Sequence, residues 1–360
     1  MNSDIHDPAG DGIWLALSAL IHADRLVDVA VYCEQILRRP GRELPRGVFE
    51  AVILGRARVD ILTGRACAAV EELTSLLAEG VSVHRRGLAM AWLLEALAQL
   101  GETGHAHQLL LGGRLGSVEE LPDVGHLAAA RGALHWAEGD MERCVEAYLE
   151  CGRILTSLNV VNPAVVPWRS RASLAASVIG RSDLALALAE DELAAARQWG
   201  APGTVGAALH ALGMARRDSR SITVLERSIE LLELANTRYE LIPALCDLGV
   251  LYAERDDLSR SRDVLRTVSD IAVGAKNKAW LNRVESVLPT IDGKQDTARL
   301  TKQERKVAQL ALEGHSNKAI AETMFLTVRT VEFHLSNVYR KLDITGRREL
   351  RGRLNPRECA

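Results

Sequence analysis

Arg329, Phe333, Ser336 and Arg340 follow one another at intervals of four, three and four residues near the end of a 360-residue chain. At 100° per residue this spacing holds all four within about 40° of one line along a helix. Their chemistry is that of recognition. A guanidinium can bond guanine edges or phosphates, a phenyl ring can touch a thymine methyl, and a hydroxyl can donate to base or phosphate. Glu332 and Asn337 flank the same face, and Lys318 and Lys341 are placed to meet a phosphate backbone on either side. Val331, Leu335, Val338 and Leu342 fall between about 180° and 240° from Arg329, an apolar stripe that needs a core of its own. The alternative is a basic amphipathic helix that is merely solvated.

A helix of this kind has to be held by neighbours, and the preceding residues carry compact helix punctuation. Thr301-Lys302-Gln303-Glu304 has the form of a capping box, opening a helix over Lys302–Glu313 that stops at Gly314. Ser316 can cap a second helix, Asn317–Met324, and Thr327 a third, Val328–Leu342. Upstream, residues 289–299 are polar, contain Pro289 and Gly293, and read as a linker.

Charge divides the chain at the same place. The net charge of -3 is the sum of 32 basic and 40 acidic residues up to Leu300 and 12 basic and 7 acidic residues after it. All seven lysines lie in the last quarter. A basic segment therefore follows an acidic body, the asymmetry of a chain with one anionic partner. An apolar fraction of 48% with 25% charged residues excludes disorder, collagen and coiled-coil classes. Six scattered cysteines without a C-x-x-C pair point to a reducing, cytoplasmic setting rather than a disulfide framework. Asp4, Asp7 and Asp11 precede a short apolar run, Ile13–Ile21, which has the wrong charge for a signal peptide and is too short for a bilayer.

From residue 12 to about 288 the apolar spacing is helical nearly throughout. Small or acidic breaks fall near Asp24, Gly64, Gly101, Gly139, Gly180, Asp218 and Asp256, at the period of a solenoid of helix pairs. His126–Leu155 and Pro243–Ile271 align at an offset of 117 residues, matching Gly132 to Gly249 and the turn at Gly139-Asp140 to Asp256-Asp257. With Leu245, Leu248, Gly249 and Tyr252, this pattern resembles a degenerate tetratricopeptide repeat. The expectation is an all-α chain: about seven stacked hairpins over 1–288 sharing one core and leaving a concave groove, the linker at 289–299, and a terminal domain over 300–360. The groove could bind a protein or small effector, or the array could be only a spacer or an oligomerisation surface.

The terminal residues Leu300-Thr301, Glu304-Arg305, Val307, Leu310, Gly314, Ser316-Asn317-Lys318, Ile320-Ala321, Leu326, Thr330-Val331-Glu332, His334, Asn337, Tyr339, Lys341-Leu342 and Arg347 resemble the LuxR-type helix-turn-helix over about 55 residues. The resemblance implies four helices. The third would read the major groove through Arg329, Thr330, Glu332, Phe333, Ser336, Asn337 and Arg340, with Lys318 and Lys341 at phosphates. The fourth, about Gly346 to Leu354, would pair two copies on a dyad-related site. Glu332 stands where the family often has lysine, and a carboxylate there could accept from cytosine N4 instead. A helical-repeat body joined to this domain also resembles the C-terminal half of the large ATP-binding LuxR regulators. No G-x-x-x-x-G-K-[ST] occurs here, however, so ATP control does not carry over and no cofactor is expected. The strand-helix alternation of a receiver domain is also missing.

Other constellations are weaker. His105 and His107 form an H-x-H without evident further ligands and read as solvated loop histidines. Cys144 and Cys151 sit where repeats want small core residues, and the six tryptophans, about one per repeat, read as core anchors. No catalytic signature appears, so an enzyme is not expected. Together these features suggest a sequence-specific transcription regulator that binds promoter DNA as a homodimer, takes an effector or protein in its groove and contacts the transcription machinery. A helical-repeat scaffold without specific DNA binding is the other reading.

Overall fold

In the computed structural model the described residues are 8–38, 44–111, 123–255, 257–275, 277–292, 300, 302–342 and 344–350, and every regular element among them is helical. Seven antiparallel hairpins come first. They are α1 (Pro8–His22) with α2 (Leu26–Leu37), α3 (Arg46–Leu62) with α4 (Ala66–Glu79), and α5 (Val83–Leu100) with α6 (Thr103–Leu111). The next are α7 (Val124–Glu138) with α8 (Met141–Ser157), and α9 (Trp168–Val178) with α10 (Ser182–Trp199). The last are α11 (Pro202–Arg216) with α12 (Ser221–Leu234), and α13 (Arg238–Glu254) with α14 (Leu258–Gly274). A single helix, α15 (Lys278–Asp292), covers the end of the stack. It runs through Pro289, where the sequence suggested a break; the rest of the expected linker, 293–299, lies outside the described residues.

The expected breaks at described residues fall in hairpin turns. Asp24, Gly64, Gly101, Gly139, Gly180 and, at the sixth turn, Arg217 have positive φ, the left-handed conformation that reverses a chain after a helix; Asp256 lies outside the described residues. The offset of 117 residues holds at atomic detail. Asp140 caps α8 by accepting from the Arg143 amide at 3.2 Å, and Asp257 caps α14 through the Arg260 amide at the same distance. Gly132 leaves room for the Tyr148 ring, and Gly249 leaves room for Leu265. A methyl group on either glycine would lie 2.7 Å or 2.8 Å from the facing side chain, so the missing Cβ is what lets the two helices of a hairpin interlock.

The two helices of a hairpin have different burial. In α5 every residue from Gly87 to Leu94 is buried, because this helix is covered by α4 on one side and α7 on the other. The partner-facing stripe of α14, Ser261, Leu265, Val268 and Ala272, is the ordinary single face of an amphipathic helix. Cys144 and Cys151 are buried as expected, and burial pushes both thiols up to about 12, which makes them inert packing groups.

The array also closes on itself. Asp24, in the first turn, accepts from the Gly203 amide of α11 at 2.6 Å, and Trp199 donates from Nε1 to the His22 carbonyl at 2.7 Å. Gly64, in the second turn, lies against Arg238 of α13, and Asn277, just before α15, donates to the Gln99 carbonyl of α5 at 3.0 Å. The Asp24, Gly64 and Asn277 contacts each join a hairpin to the element five places on, and Trp199 bonds the first turn from the end of the fifth hairpin, so one superhelical turn takes about five hairpins. Trp199 is therefore a half-exposed clasp rather than a core anchor.

Closure also corrects the expectation of an open groove. The interior is filled by Arg58 paired with Glu95 at 2.7 Å and Arg171 paired with Glu240 at 2.6 Å, stacked on Trp92 and Tyr239 respectively. The remaining cavity there is about 40 Å³, far below the volume a drug-sized ligand occupies. His126, at its edge, is pushed down to about 4 by burial and then by Arg58, so it is neutral.

The interlock makes opposite predictions for two helical glycines. Gly132→Ala should lower stability by about 1–3 kcal/mol through overpacking against Tyr148. Gly12→Ala, where a Cβ meets nothing within 4 Å, should raise it by about 0.5–1 kcal/mol. Urea denaturation distinguishes the two, and effects of equal sign would contradict the interlock.

Candidate nucleic-acid interface

The basic end builds a small unit around its own core. It consists of α16 (Lys302–Leu312), α17 (Asn317–Met324), α18 (Val328–Leu342) and a 3₁₀ turn at Arg347–Glu349. Val307, Leu310, Ile320, Val331, Leu335, Val338 and Leu350 form the centre. The expected punctuation is in place: Gly314 adopts φ +96° after α16, the Ser316 hydroxyl accepts from the Ala319 amide at 3.1 Å, and the Thr327 hydroxyl accepts from the Thr330 amide at 3.1 Å. Thr330 also shares a hydroxyl hydrogen bond of 2.8 Å with Thr327, so part of its capacity is spent on this cap. Thr301 and the end of the expected fourth helix, beyond Leu350, lie outside the described residues.

Lys341 and Arg347 tie the helices of the unit together. Lys341 was expected at a phosphate, but it points inward: its side chain is 6% exposed, and Nζ donates to Oε2 of the fully buried Glu304 at 2.8 Å. The helical angle places Lys341 about 120° from Arg329, on the flank, from which a long side chain can reach the core. Arg347 donates to the Ala311 carbonyl at 2.9 Å and to the His315 carbonyl, tying the 3₁₀ turn to the carbonyl end of α16. His334 is fully buried, and among the described residues neither ring nitrogen has a hydrogen-bond partner. Burial depresses its pKa, opposed by the Glu304 carboxylate. His334 comes only with the family pattern, and Glu304 reads as a capping-box acid, since no local spacing distinguishes a buried acid or imidazole from a surface one.

The remaining expected residues gather on the outer side of α18. Glu332, Ser336 and Arg340 are exposed, Arg329, Phe333 and Asn337 are half-buried, and all six line one cleft of about 630 Å³. The far wall of that cleft is the repeat body, at the tips of the sixth and seventh hairpins. Arg329 is bonded there to the Glu254 carboxylate, and Phe333 packs against the core that contains Leu251 and Tyr252. On the neighbouring helix, Lys318 Nζ meets Glu142 Oε1 at 2.6 Å. Arg340 reaches only Asn337, at 3.5 Å.

His105 and His107 lie on α6 rather than in a loop, beside Glu102 and Glu138. Among the described residues no group of three or more His, Cys, Asp or Glu is placed to hold a metal ion, and no helix is long and apolar enough to cross a membrane.

Comparison with known proteins places this geometry. The family described as GerE, bacterial regulatory proteins of the luxR family, matches residues 298–351. The spore germination protein GerE of Bacillus subtilis is 40% identical over 53 residues, which are 15% of this chain and 72% of that protein. The transcriptional regulatory protein LiaR of Bacillus subtilis is 44% identical over 48 residues, 13% of this chain and 23% of LiaR. An HTH-type transcriptional regulator of Mycobacterium tuberculosis is 49% identical over 51 residues, 14% of this chain and 6% of its own length. The chain thus spans about a quarter or less of the latter two. Among solved structures, a Rap protein complexed with competence and sporulation factor superposes with a TM-score of 0.57 at 11% identity, covering 96% of this chain and 99% of that one. That likeness supports the helical-repeat fold.

The neutral His334 gives the terminal unit a pH signature. The unfolded imidazole takes up a proton near 6.5 while the folded one does so only at lower pH, so the unfolded state binds more protons between these values. Stability is therefore complete above about pH 7 and falls as pH drops below that point. Thermal denaturation of residues 300–360 between pH 7.5 and 5 should show this slope, and His334→Gln should flatten it. An unchanged slope would contradict the assignment.

Proposed function

The chain belongs to the luxR family of bacterial regulatory proteins, and from that premise we propose a sequence-specific transcription regulator whose helix α18 enters the major groove while the repeat body senses an effector. The two-faced geometry of α18 carries the reading. Its apolar stripe is buried on α16 and α17, Lys341 ties it to Glu304 of α16, and the opposite face is arginine, phenylalanine and small polar groups.

On this reading Arg329 and Arg340 bond guanine O6 and N7 or phosphates, Asn337 is suited to adenine, and Phe333 meets thymine methyls. Ser336 and Thr330 supply shorter contacts, and Glu332 accepts from cytosine N4. Lys318, near the N-terminus of α17, meets a phosphate with the helix dipole behind it. Lys341 acts as a positioning residue through Glu304. Two copies paired through residues from Gly346 onward would read a dyad-related site, leaving the other surfaces to the transcription machinery on the bacterial nucleoid.

The division of labour is a sensing body over 1–288, a linker over 289–299 and a DNA-binding unit over 300–360. The solved Rap protein of similar fold holds competence and sporulation factor, and a protein or small molecule acting on the closed superhelix here would have the paired charges of its interior to engage. The pitch of such an array is the sum of small rotations between neighbouring repeats, so a ligand that changed those rotations would change it.

Selection of duplexes from a randomised pool with residues 295–360 should yield a defined site. Affinity for it should fall linearly with salt on logarithmic axes, and the Phe333→Ala, Arg340→Ala variant should bind at least tenfold more weakly. Absence of salt-sensitive binding to any duplex would favour the scaffold reading.

A further inference from the structure

Among the described residues, the ion pairs and the aromatic contact that hold the terminal unit to the body engage the residues assigned to DNA. Arg329 is bonded to Glu254, the last residue of α13; Lys318 is bonded to Glu142, in the first turn of α8; and Phe333 is lodged against the core of the seventh hairpin. The acids meet one cation on the recognition helix and one on the helix before it, the two places where a duplex would present phosphates. Glu254 is held in position by its neighbour Arg255, which donates to the Asp218 carbonyl at 2.8 Å and so ties the tip of the seventh hairpin to that of the sixth.

We propose that the acidic tips of the repeat body and duplex DNA compete for one face of α18, and that the arrangement in the structure is the DNA-excluding state. The proposal rests on the reading of α18 as a DNA-recognition helix. A duplex has to receive that helix in a groove about 12 Å wide and 8.5 Å deep. The cleft of about 630 Å³ between α18 and the body has no room for it, and the Arg329 side chain is only 15% exposed. Exclusion is therefore steric as well as electrostatic.

The docking is weak enough to reverse. Lys318 and Glu142 are both more than half exposed, where ion pairs contribute little, and a single aromatic side chain supplies the apolar part. The acids lie on two separate hairpins, α8 and α13, so their spacing follows the pitch of the superhelix. A ligand that altered the pitch could not keep both pairs. The apparent affinity for DNA is the intrinsic one reduced by the fraction of open molecules, which is the quantity such a ligand would change.

The full-length chain and its Glu142→Gln, Glu254→Gln variant, with the isosteric side chains leaving the fold in place, should be titrated against the selected duplex beside residues 295–360. The expected result is that the variant binds at least fivefold more tightly than the wild type and approaches the isolated unit. Glu142→Lys, Glu254→Lys should go at least as far, and in the absence of DNA amide exchange across 328–342 should be faster in both variants. Equal affinity of wild type, variants and isolated unit would overturn the competition while leaving the DNA reading intact. Failure of the isolated unit to bind any duplex would overturn the DNA reading and the competition with it.

Discussion

Enclosed in the cleft, the Arg329 side chain has room for one anionic partner. In the structure that partner is Glu254, and the rest of the molecule is arranged around the choice. The body carries the excess of acid and the terminal unit the excess of base, so the two attract each other for the same reason that the terminal unit attracts a duplex. A net charge close to neutral conceals this, because the two contributions cancel in the sum.

The hairpin array turns a charge preference into a geometry. Interlocked helices, with a glycine opposite a large side chain in the fourth, sixth and seventh hairpins, fix the distance between the two helices there, and closure after about five hairpins fixes the rotation of each hairpin on the next. The acids at the tips therefore sit at defined positions rather than on mobile loops. Helix α13 links two regions directly. Near its N-terminus Glu240 is bonded to Arg171 in the superhelix interior, and its last residue, Glu254, holds the recognition helix. Fourteen residues of helix, about 21 Å, thus connect the interior charge cluster to the face proposed to read DNA through one continuous element.

Much of this was legible in the sequence wherever local chemistry decides the outcome. The hairpin turns follow from glycine and aspartate at a fixed period, since a left-handed residue is needed to reverse a chain after a helix. Ser316 and Thr327 cap as their positions imply, and the 100° periodicity separates the buried Val331, Leu335 and Val338 from the exposed Ser336 and Arg340. The failures concern contacts between residues far apart in the chain. Periodicity puts Lys341 on a flank, and only the position of Glu304, 37 residues earlier, turns it inward. Trp199 looks like a core residue by type, but closure of the superhelix finds it a carbonyl partner at His22. The same closure shut the expected groove, and neither Glu142 nor Glu254 carries any local mark of its pairing with the terminal unit.

Ser336 offers the most direct view of the choice, because it is exposed, lines the cleft and points with the face assigned to DNA. A photoreactive amino acid at this position in the full-length chain reports its nearest neighbour on irradiation. Without DNA, adducts should form with the body around Arg217–Ser221 and Ala253–Arg255; with the selected duplex, they should move to bases in the major groove at the expense of those in the body. Adducts that stay on the body while the duplex is bound would show that DNA is held by another surface, and would contradict the account.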